Sequence, residues 1–256
     1  MLKFSLLSRV NIIQTLFVNF KTQNFFVALK FPIIVFGKLK LRNLSGQIRI
    51  NAPISLGMIR LGDQYLDMFP ISQLPTQLWV SGTLEFRGHC IISGGVALFV
   101  QSKDAVLSVG DMCTVGGGTL IKSVDSIYIG DKTRITSGCT IMDSNMHYVK
   151  NTESGYVKKT WGKITIGHNC WINQGTTISK GTVIPSYSIV ARNSFINKDY
   201  SEYGENLFLA GSPAISKKGK VQRIFDRNKE VELNRFFREN NVEEYFDGIG
   251  LFKTNE

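Results

Sequence analysis

The sequence is poor in proline and lacks any spacing of cysteines that would bind a metal. Proline occurs 6 times in 256 residues, whereas glycine occurs 24 times. Ordinary β-sandwiches place proline and Asn-Gly at their turns, so this balance favours another kind of turn. Four cysteines are present, with no Cys-x-x-Cys or Cys/His ligand spacing. We therefore expect buried free thiols in a reducing cytoplasm, and no disulfide framework.

Acidic residues are absent from the start of the chain. The first 60 residues contain nine Lys or Arg side chains, seven Phe side chains and no Asp or Glu. This segment has no small-residue cleavage site of a signal peptide. Lys21 and Lys30 interrupt its apolar stretch before the ~18 residues that a membrane span needs. We expect a cap with solvated charges, or contact with an anionic partner such as a membrane surface or a lipid-linked phosphate.

A six-residue repeat organises the middle of the chain. Its period is neither the 3.6 of a helix nor the alternation of a strand, and it predicts a β-solenoid in which every coil adds one residue to the same inner column. Small residues recur in phase four places after each of the first five aliphatic positions. The aliphatic positions are Ile166, Ile172, Ile178, Ile184, Val190 and Ile196, with Val109, Val115, Ile121, Ile129, Ile135 and Ile141 upstream.

Between Ile141 and Ile166 an insertion, residues 147–163, breaks the phase of the repeat. An insertion in a solenoid must leave the coil as a loop. We therefore divide the chain into a basic, apolar N-terminal cap (1–45), a solenoid (46–218) with this loop, and a C-terminal tail (219–256). Apolar residues at helical intervals predict a helix in the tail.

Four segments resemble the hexapeptide-repeat acyltransferases, in the branch of sugar and polysaccharide O-acetyltransferases. They read MDSNMHYV, ITIGHNCWI, SFINKD and AGSPAISKK, and the resemblance runs over about residues 84–218. It implies an all-β solenoid wound as a left-handed parallel β-helix, with an irregular N-terminal cap and a C-terminal helix. It also implies a homotrimer with active sites between subunits, and acetyl-CoA as co-substrate.

Three histidines are present, and His147 stands where the repeat stops. Transfer of an acyl group to a hydroxyl requires a base for the hydroxyl proton, and a neutral imidazole suits that task. The resemblance makes His147 the general base, whereas His89 and His168 are expected to be surface or packing residues. The histidines lie 58 and 21 residues apart, with no His-x₃₋₅-His pair. We therefore expect no metal.

Substrate binding is predicted near the loop. Asp143 and Asn145 could bind acceptor hydroxyls or position the imidazole, but Asp and Asn also favour the turn at which a regular coil ends. Trp161 could stack on the apolar face of a sugar, or could simply anchor the loop.

The coenzyme residues are implied by the resemblance alone. It makes Trp171 a wall near the thioester and Lys217 or Lys218 a contact of the phosphates, although each lysine could equally be a solvated surface charge. Asn173 and Arg192 depart from the family pattern, which has small residues at those places. The residues expected along the coenzyme are Gln174, Arg192, Asn197 and Lys198.

The predicted function is acetyl-CoA-dependent O-acetylation of a sugar hydroxyl in a surface polysaccharide or its precursor. The acceptor would be a sugar or a lipid- or nucleotide-linked saccharide, and no nucleic acid is expected. Two alternatives stay open, N-acylation of an amino sugar and a non-catalytic scaffold. We expect a cytoplasmic protein, with peripheral contact to the inner face of the membrane as an open alternative.

Overall fold

The computed structural model describes residues 9–63, 74–240 and 242–245. The chain divides into two compact units, Met1–Gln222 and Arg223–Glu256. The first unit holds all of the described strands and the N-terminal helices, α1 (Ile12–Thr22) and α2 (Phe25–Ala28). The second unit contains α3 (Arg227–Glu239), whose first turn is capped by Asp226, so the predicted C-terminal helix is confirmed. Among the described residues, none of the helices has both the length and the apolar composition needed to cross a bilayer.

The first unit is a three-sided parallel β-solenoid. In chain order its strands are β1 (Ile33–Val35), β2 (Leu39–Leu44), β3 (Gln47–Ile50), β4 (Ile59–Leu61), β5 (Thr76–Val80), β6 (Thr83–Phe86), β7 (Cys90–Ile92), β8 (Ala97–Val100), β9 (Val106–Val109), β10 (Cys113–Val115), β11 (Leu120–Ser123), β12 (Ser126–Ile129), β13 (Arg134–Ile135), β14 (Thr140–Met142), β15 (Ile164–Ile166), β16 (Trp171–Ile172), β17 (Thr177–Ser179), β18 (Val183–Ile184), β19 (Ile189–Val190), β20 (Phe195–Ile196), β21 (Phe208–Gly211) and β22 (Ala214–Ser216).

Each coil passes through three sheets in the same order. The first sheet stacks β1, β4, β7, β10, β13, β16, β19 and β21, and the hairpin strand β22 closes it antiparallel to β21. The second sheet stacks β2, β5, β8, β11, β14, β17 and β20. The third sheet stacks β3, β6, β9, β12, β15 and β18. This topology confirms the predicted solenoid, while its left-handed sense remains an implication of the resemblance.

The core fills the interior of the prism, because alternate side chains of every short strand point inward. The predicted aliphatic column from Ile166 to Ile196 is inside, and none of its six members is more than 1% exposed. Ile172 pairs in register with Ile135 on one side and with Val190 on the other. The hexad register is therefore confirmed.

The solenoid begins earlier than predicted. Its first coil contains β1 and β2, which both fall inside the segment 1–45 that the sequence assigned to the cap. The pattern is hard to recognise here because β2 is six residues long and its pairing with β5 shifts register between Leu41 and Asn43. Only α1 and α2 lie outside the coils in this part of the described chain.

Candidate active site

The insertion leaves the solenoid at the corner between the second and third sheets, after β14, and returns at β15. Its two sides run antiparallel at the base, where Ser144 bridges to Trp161 and the Asn145 amide donates to the Thr160 carbonyl at 2.9 Å. Near the tip the Asn151 amide donates to the carbonyl of Tyr156 at 2.8 Å. The inserted loop is therefore a hydrogen-bonded arm rather than an open coil. From here on, "the arm" means residues 144–161.

Asp143 holds the base of the arm and has no exposed surface. Its carboxylate accepts hydrogen bonds from the Ser123 hydroxyl at 2.8 Å and from the backbone amides of Val124 and Asp125, each at 2.9 Å. Its own carbonyl accepts from the Gly162 amide at 2.9 Å. A carboxylate enclosed in this way cannot contact a substrate in this conformation. The substrate-binding prediction for Asp143 is corrected to the turn role that the sequence left open.

His147 is exposed on the first stretch of the arm. It follows Met146, a residue with positive φ (66°), and its backbone amide donates to the carbonyl of Asn145 at 2.8 Å. Within the described part of the chain the imidazole makes no hydrogen bond with another residue. Asn145 is exposed beside it and stays a predicted substrate residue.

The other two histidines belong to a ladder at the corner between the third and first sheets. There a side chain of each coil accepts a hydrogen bond from a backbone amide one coil earlier. Asp111 accepts from the His89 amide at 2.6 Å, His168 Nδ1 accepts from the Asp131 amide at 3.1 Å, and Ser186 accepts from the His168 amide at 3.2 Å. This stacking agrees with the packing role expected for His89 and His168, and leaves His147 as the one histidine on the arm.

Trp161 lies at the base of the arm, partly exposed, with the Lys159 ammonium 4.9 Å from its ring centroid. Lys180 Nζ, one coil further on, donates to the Lys159 carbonyl at 2.5 Å and ties the arm to the solenoid. These contacts fit an anchoring tryptophan, while the exposed part of the ring keeps the sugar-stacking prediction for Trp161 open.

The predicted coenzyme residues lie on different sides of the prism. Gln174 and Arg192 occupy the corner between the first and second sheets, one coil apart. Asn197 and Lys198 occupy the corner from which the arm leaves, and both are exposed. The exposed pair Lys217 and Lys218 follows β22, at the end of the first sheet. Every one of the predicted cations Arg192, Lys198, Lys217 and Lys218 is thus accessible to a phosphate.

Trp171 lies on the outer side of the first sheet, because its neighbour Ile172 points into the core. The corner that carries the arm joins the second and third sheets, so it is opposite the first sheet in a three-sided prism. Trp171 and His147 of one protomer therefore lie on opposite sides of the solenoid. Within one chain, the predicted base His147 is therefore apart from Trp171, which is predicted to lie near the thioester.

Two details near Trp171 differ from the sequence reading. Asn173, a departure from the family pattern, donates from Nδ2 to the Val190 carbonyl at 2.8 Å, so it reinforces the coil ladder. Sequence reasoning missed Arg134, which is in register with Trp171 on the preceding coil and is a candidate cation for a coenzyme phosphate. The coil period could have revealed it, but the insertion lies between the two residues and hides that period.

No set of three or more His, Cys, Asp and Glu side chains in the described ranges is arranged to hold a metal ion. All four cysteines are free and buried. Burial raises the pKa of Cys113 and Cys170 to about 12 and that of Cys139 to about 11. These thiols are protonated near neutral pH, and no nucleophilic role follows for them.

No family model matches the chain, and no curated protein sequence matches it. Solved structures similar to it include the polysialic-acid-specific acetyltransferase NeuO, with 18% identity and a TM-score of 0.47 over 80% of this chain and 94% of that chain. The polysialic acid O-acetyltransferase OatWY has 20% identity and a TM-score of 0.41 over 77% and 99%. AntD, an N-acyltransferase from Bacillus cereus solved with dTDP and 3-hydroxybutyryl-CoA, has 15% identity and a TM-score of 0.44 over 82% and 89%.

Proposed function

We propose that this chain is an acetyl-CoA-dependent O-acetyltransferase for a sugar hydroxyl of a surface polysaccharide or its precursor, with His147 as general base. The observation that carries the proposal is the position of His147. Its imidazole is exposed at the arm, next to the point where a regular coil is interrupted, whereas His89 and His168 belong to a structural ladder. A scaffold gains nothing from interrupting its own ladder at this point.

His147 would remove the proton of the acceptor hydroxyl as that oxygen attacks the thioester carbonyl, and would pass it to the departing sulfur. Acetyl-CoA supplies the acyl group and leaves as the free thiol. Asn145 and Trp161, on the same arm, would orient the sugar by hydrogen bonding and stacking. The exposed cations Arg192, Lys198, Lys217 and Lys218 suit the coenzyme phosphates, because an ammonium or guanidinium forms charge-assisted hydrogen bonds with them.

The same proposal includes a homotrimer with its active sites between subunits. It is supported by the opposite placement of His147 and Trp171, since a shared site would take each from a different copy. It is also supported by the arm, which carries large apolar side chains into solvent. Those side chains are Tyr148, Val149, Tyr156 and Val157. A second copy of the chain would cover these side chains, whereas in an isolated protomer they stay exposed to solvent.

Release of free coenzyme A from acetyl-CoA, measured against sugars that offer either hydroxyls or an amine, tests the reaction. We expect His147→Ala to lower turnover by about 10²–10⁴-fold, the usual contribution of a general base. The matched control is His89→Ala, which removes another exposed imidazole outside the proposed site. Wild-type turnover in the His147 variant would refute the assignment. Transfer to amines only would favour N-acylation, and absence of any transfer would favour the scaffold.

Mixing two inactive variants tests the shared site. His147→Ala and Trp171→Ala each disable every site in their own oligomer. If each site takes these residues from two copies, subunit exchange between the variants restores part of the wild-type rate. Activity that stays at the level of the separate variants, although exchange is shown with tagged subunits, would contradict a shared site.

A further inference from the structure

Helix α1 covers the end of the solenoid with its polar side chains. The outer edge of β1 offers backbone groups that no strand of the described ranges takes, and α1 meets them directly. Asn19, fully buried, donates to the Ile33 carbonyl at 2.7 Å and accepts from the Ile33 amide at 3.2 Å. Thr15 accepts from the Val35 amide at 3.0 Å, and the Asn11 amide donates to the Val35 carbonyl at 2.8 Å. The cap therefore satisfies an open sheet edge, which is costly to bury unpaired.

Helix α1 buries the polar residues Thr15 and Asn19 together with Val18, and it points its other large apolar side chains away from the protein. Together with α2 it presents eight large apolar side chains that are 42–79% exposed. We call them the cap face: Ile12, Ile13, Leu16, Phe17, Phe20, Phe25, Phe26 and Leu29. Several are in mutual contact, with ring centroids 6.1 Å apart for Phe20 and Phe25 and 5.9 Å apart for Phe25 and Phe26. A contiguous patch of this kind marks a surface that binds an apolar partner.

The positive charge around the cap face indicates that its partner carries negative charge. Lys21 and Lys30 are exposed within the same segment, and the first acidic residue of the whole chain is Asp63. Asp63 is buried and paired with Arg60 at 2.7 Å, so it does not compensate these cations. A second copy of the chain would bring like charges together. A partner surface with negative groups at its boundary and an apolar layer beneath them would contact both the exposed lysines and the apolar side chains of the cap face.

We propose that the cap face binds an anionic phospholipid surface, with α1 and α2 lying in the interface. Helix α1 has 11 residues, and at 1.5 Å per residue it extends about 16 Å, half of the ~30 Å hydrocarbon core, so it lies on the membrane rather than across it. The phenyl rings enter the acyl boundary, and the lysines stay with the headgroups. This surface is independent of the acyl-transfer reaction and would place the enzyme where a lipid-linked acceptor is available.

Sedimentation of the purified full-length protein with vesicles tests the proposal. One set contains phosphatidylglycerol mixed with phosphatidylcholine, and the other contains phosphatidylcholine alone. We expect binding to the anionic vesicles only, weakened by added salt because salt shortens the range of surface electrostatics. Changing both Phe17→Ser and Phe26→Ser should lower the partition coefficient about tenfold or more, because each ring loses its burial in the acyl boundary. Met112→Asn is the matched control, an exposed apolar residue at a distant corner.

Charge is tested separately with Lys21→Gln and Lys30→Gln, for which we also expect a loss of about tenfold or more. Lys103→Gln with Lys132→Gln removes the same charge elsewhere on the solenoid and should leave binding unchanged. Thermal melting of each variant establishes that it is folded, as substitutions at exposed positions should permit. Equal sedimentation with neutral vesicles, or none with either set, would overturn the proposal. So would an oligomeric state that depends on Phe17 and Phe26 while vesicle binding does not.

Discussion

Replacing Asp143 by alanine should destabilise the solenoid, even though Asp143 lies outside the hydrophobic core. The substitution removes the acceptor for the Val124 and Asp125 amides, each bound at 2.9 Å. The Ser123 hydroxyl loses its 2.8 Å partner as well, but it can turn to the Val106 carbonyl at 3.1 Å. Two backbone donors are then left without an acceptor.

Each buried donor without a partner costs about 1–3 kcal/mol, and two partly buried ones should cost about 2–4 kcal/mol in total. At this chain length that loss corresponds to a fall in melting temperature of about 4–16 °C. Asp143→Asn keeps a carbonyl oxygen and should lose about half as much. The arm follows directly after this residue, so transferase turnover should fall in Asp143→Ala even at temperatures where the protein stays folded.

Urea unfolding and thermal melting measure the loss of stability. Asp104→Ala is the matched control, because Asp104 is exposed at the same corner of the prism two coils earlier. It should change the unfolding free energy by less than about 0.5 kcal/mol. If Asp143→Ala unfolds at the same urea concentration as the wild type, the carboxylate does not hold this corner, and our account of the base of the arm fails.

Three further predictions concern the core. Ile178→Ala should cost about 2–5 kcal/mol in urea unfolding, since Ile178 is fully buried in the aliphatic column, and a loss below 1 kcal/mol would contradict that register. Aromatic disulfide reagents should leave the four buried thiols unmodified near neutral pH until denaturant is added. Burial raises the pKa of Cys113 and Cys170 from 9.0 to about 12, so protons stay on these thiols in the folded chain while the unfolded chain loses them above 9. The unfolding free energy should therefore fall between pH 9 and 12, and a flat profile there would refute this coupling.

The solenoid could be predicted from the sequence because a coil repeats its chemical environment. Ile172, Ile178 and Ile184 occupy equivalent places on three successive sides, and each must be aliphatic to fill the same narrow interior. The insertion was equally visible, since it breaks that phase. Where the environment does not repeat, as in the first coil with its irregular β2, the six-residue pattern does not predict where the coil begins.

The contacts that Asp143 and α1 make could not be predicted, because they join residues far apart in sequence. Asp143 accepts from amides 18 and 19 residues earlier, on the preceding coil, and a polar residue at a coil exit also suits substrate binding. Asn19 binds the backbone of Ile33, so this polar residue of an apolar helix is buried beside Val18. A hydrophobic pattern read alone would have turned α1 the other way.

The relation between His147 and Trp171 shows why neighbouring motifs need not form one site. Each strand and its corner advance the chain by one side of the prism. The arm with His147 leaves from the corner after the second sheet. The chain then passes through β15 of the third sheet before Trp171 begins the next coil on the first sheet. Proximity in sequence thus becomes separation across the protomer. If both residues act in acyl transfer, the catalytic unit is an assembly of chains, and the exposed apolar arm is the part of each chain available to join it.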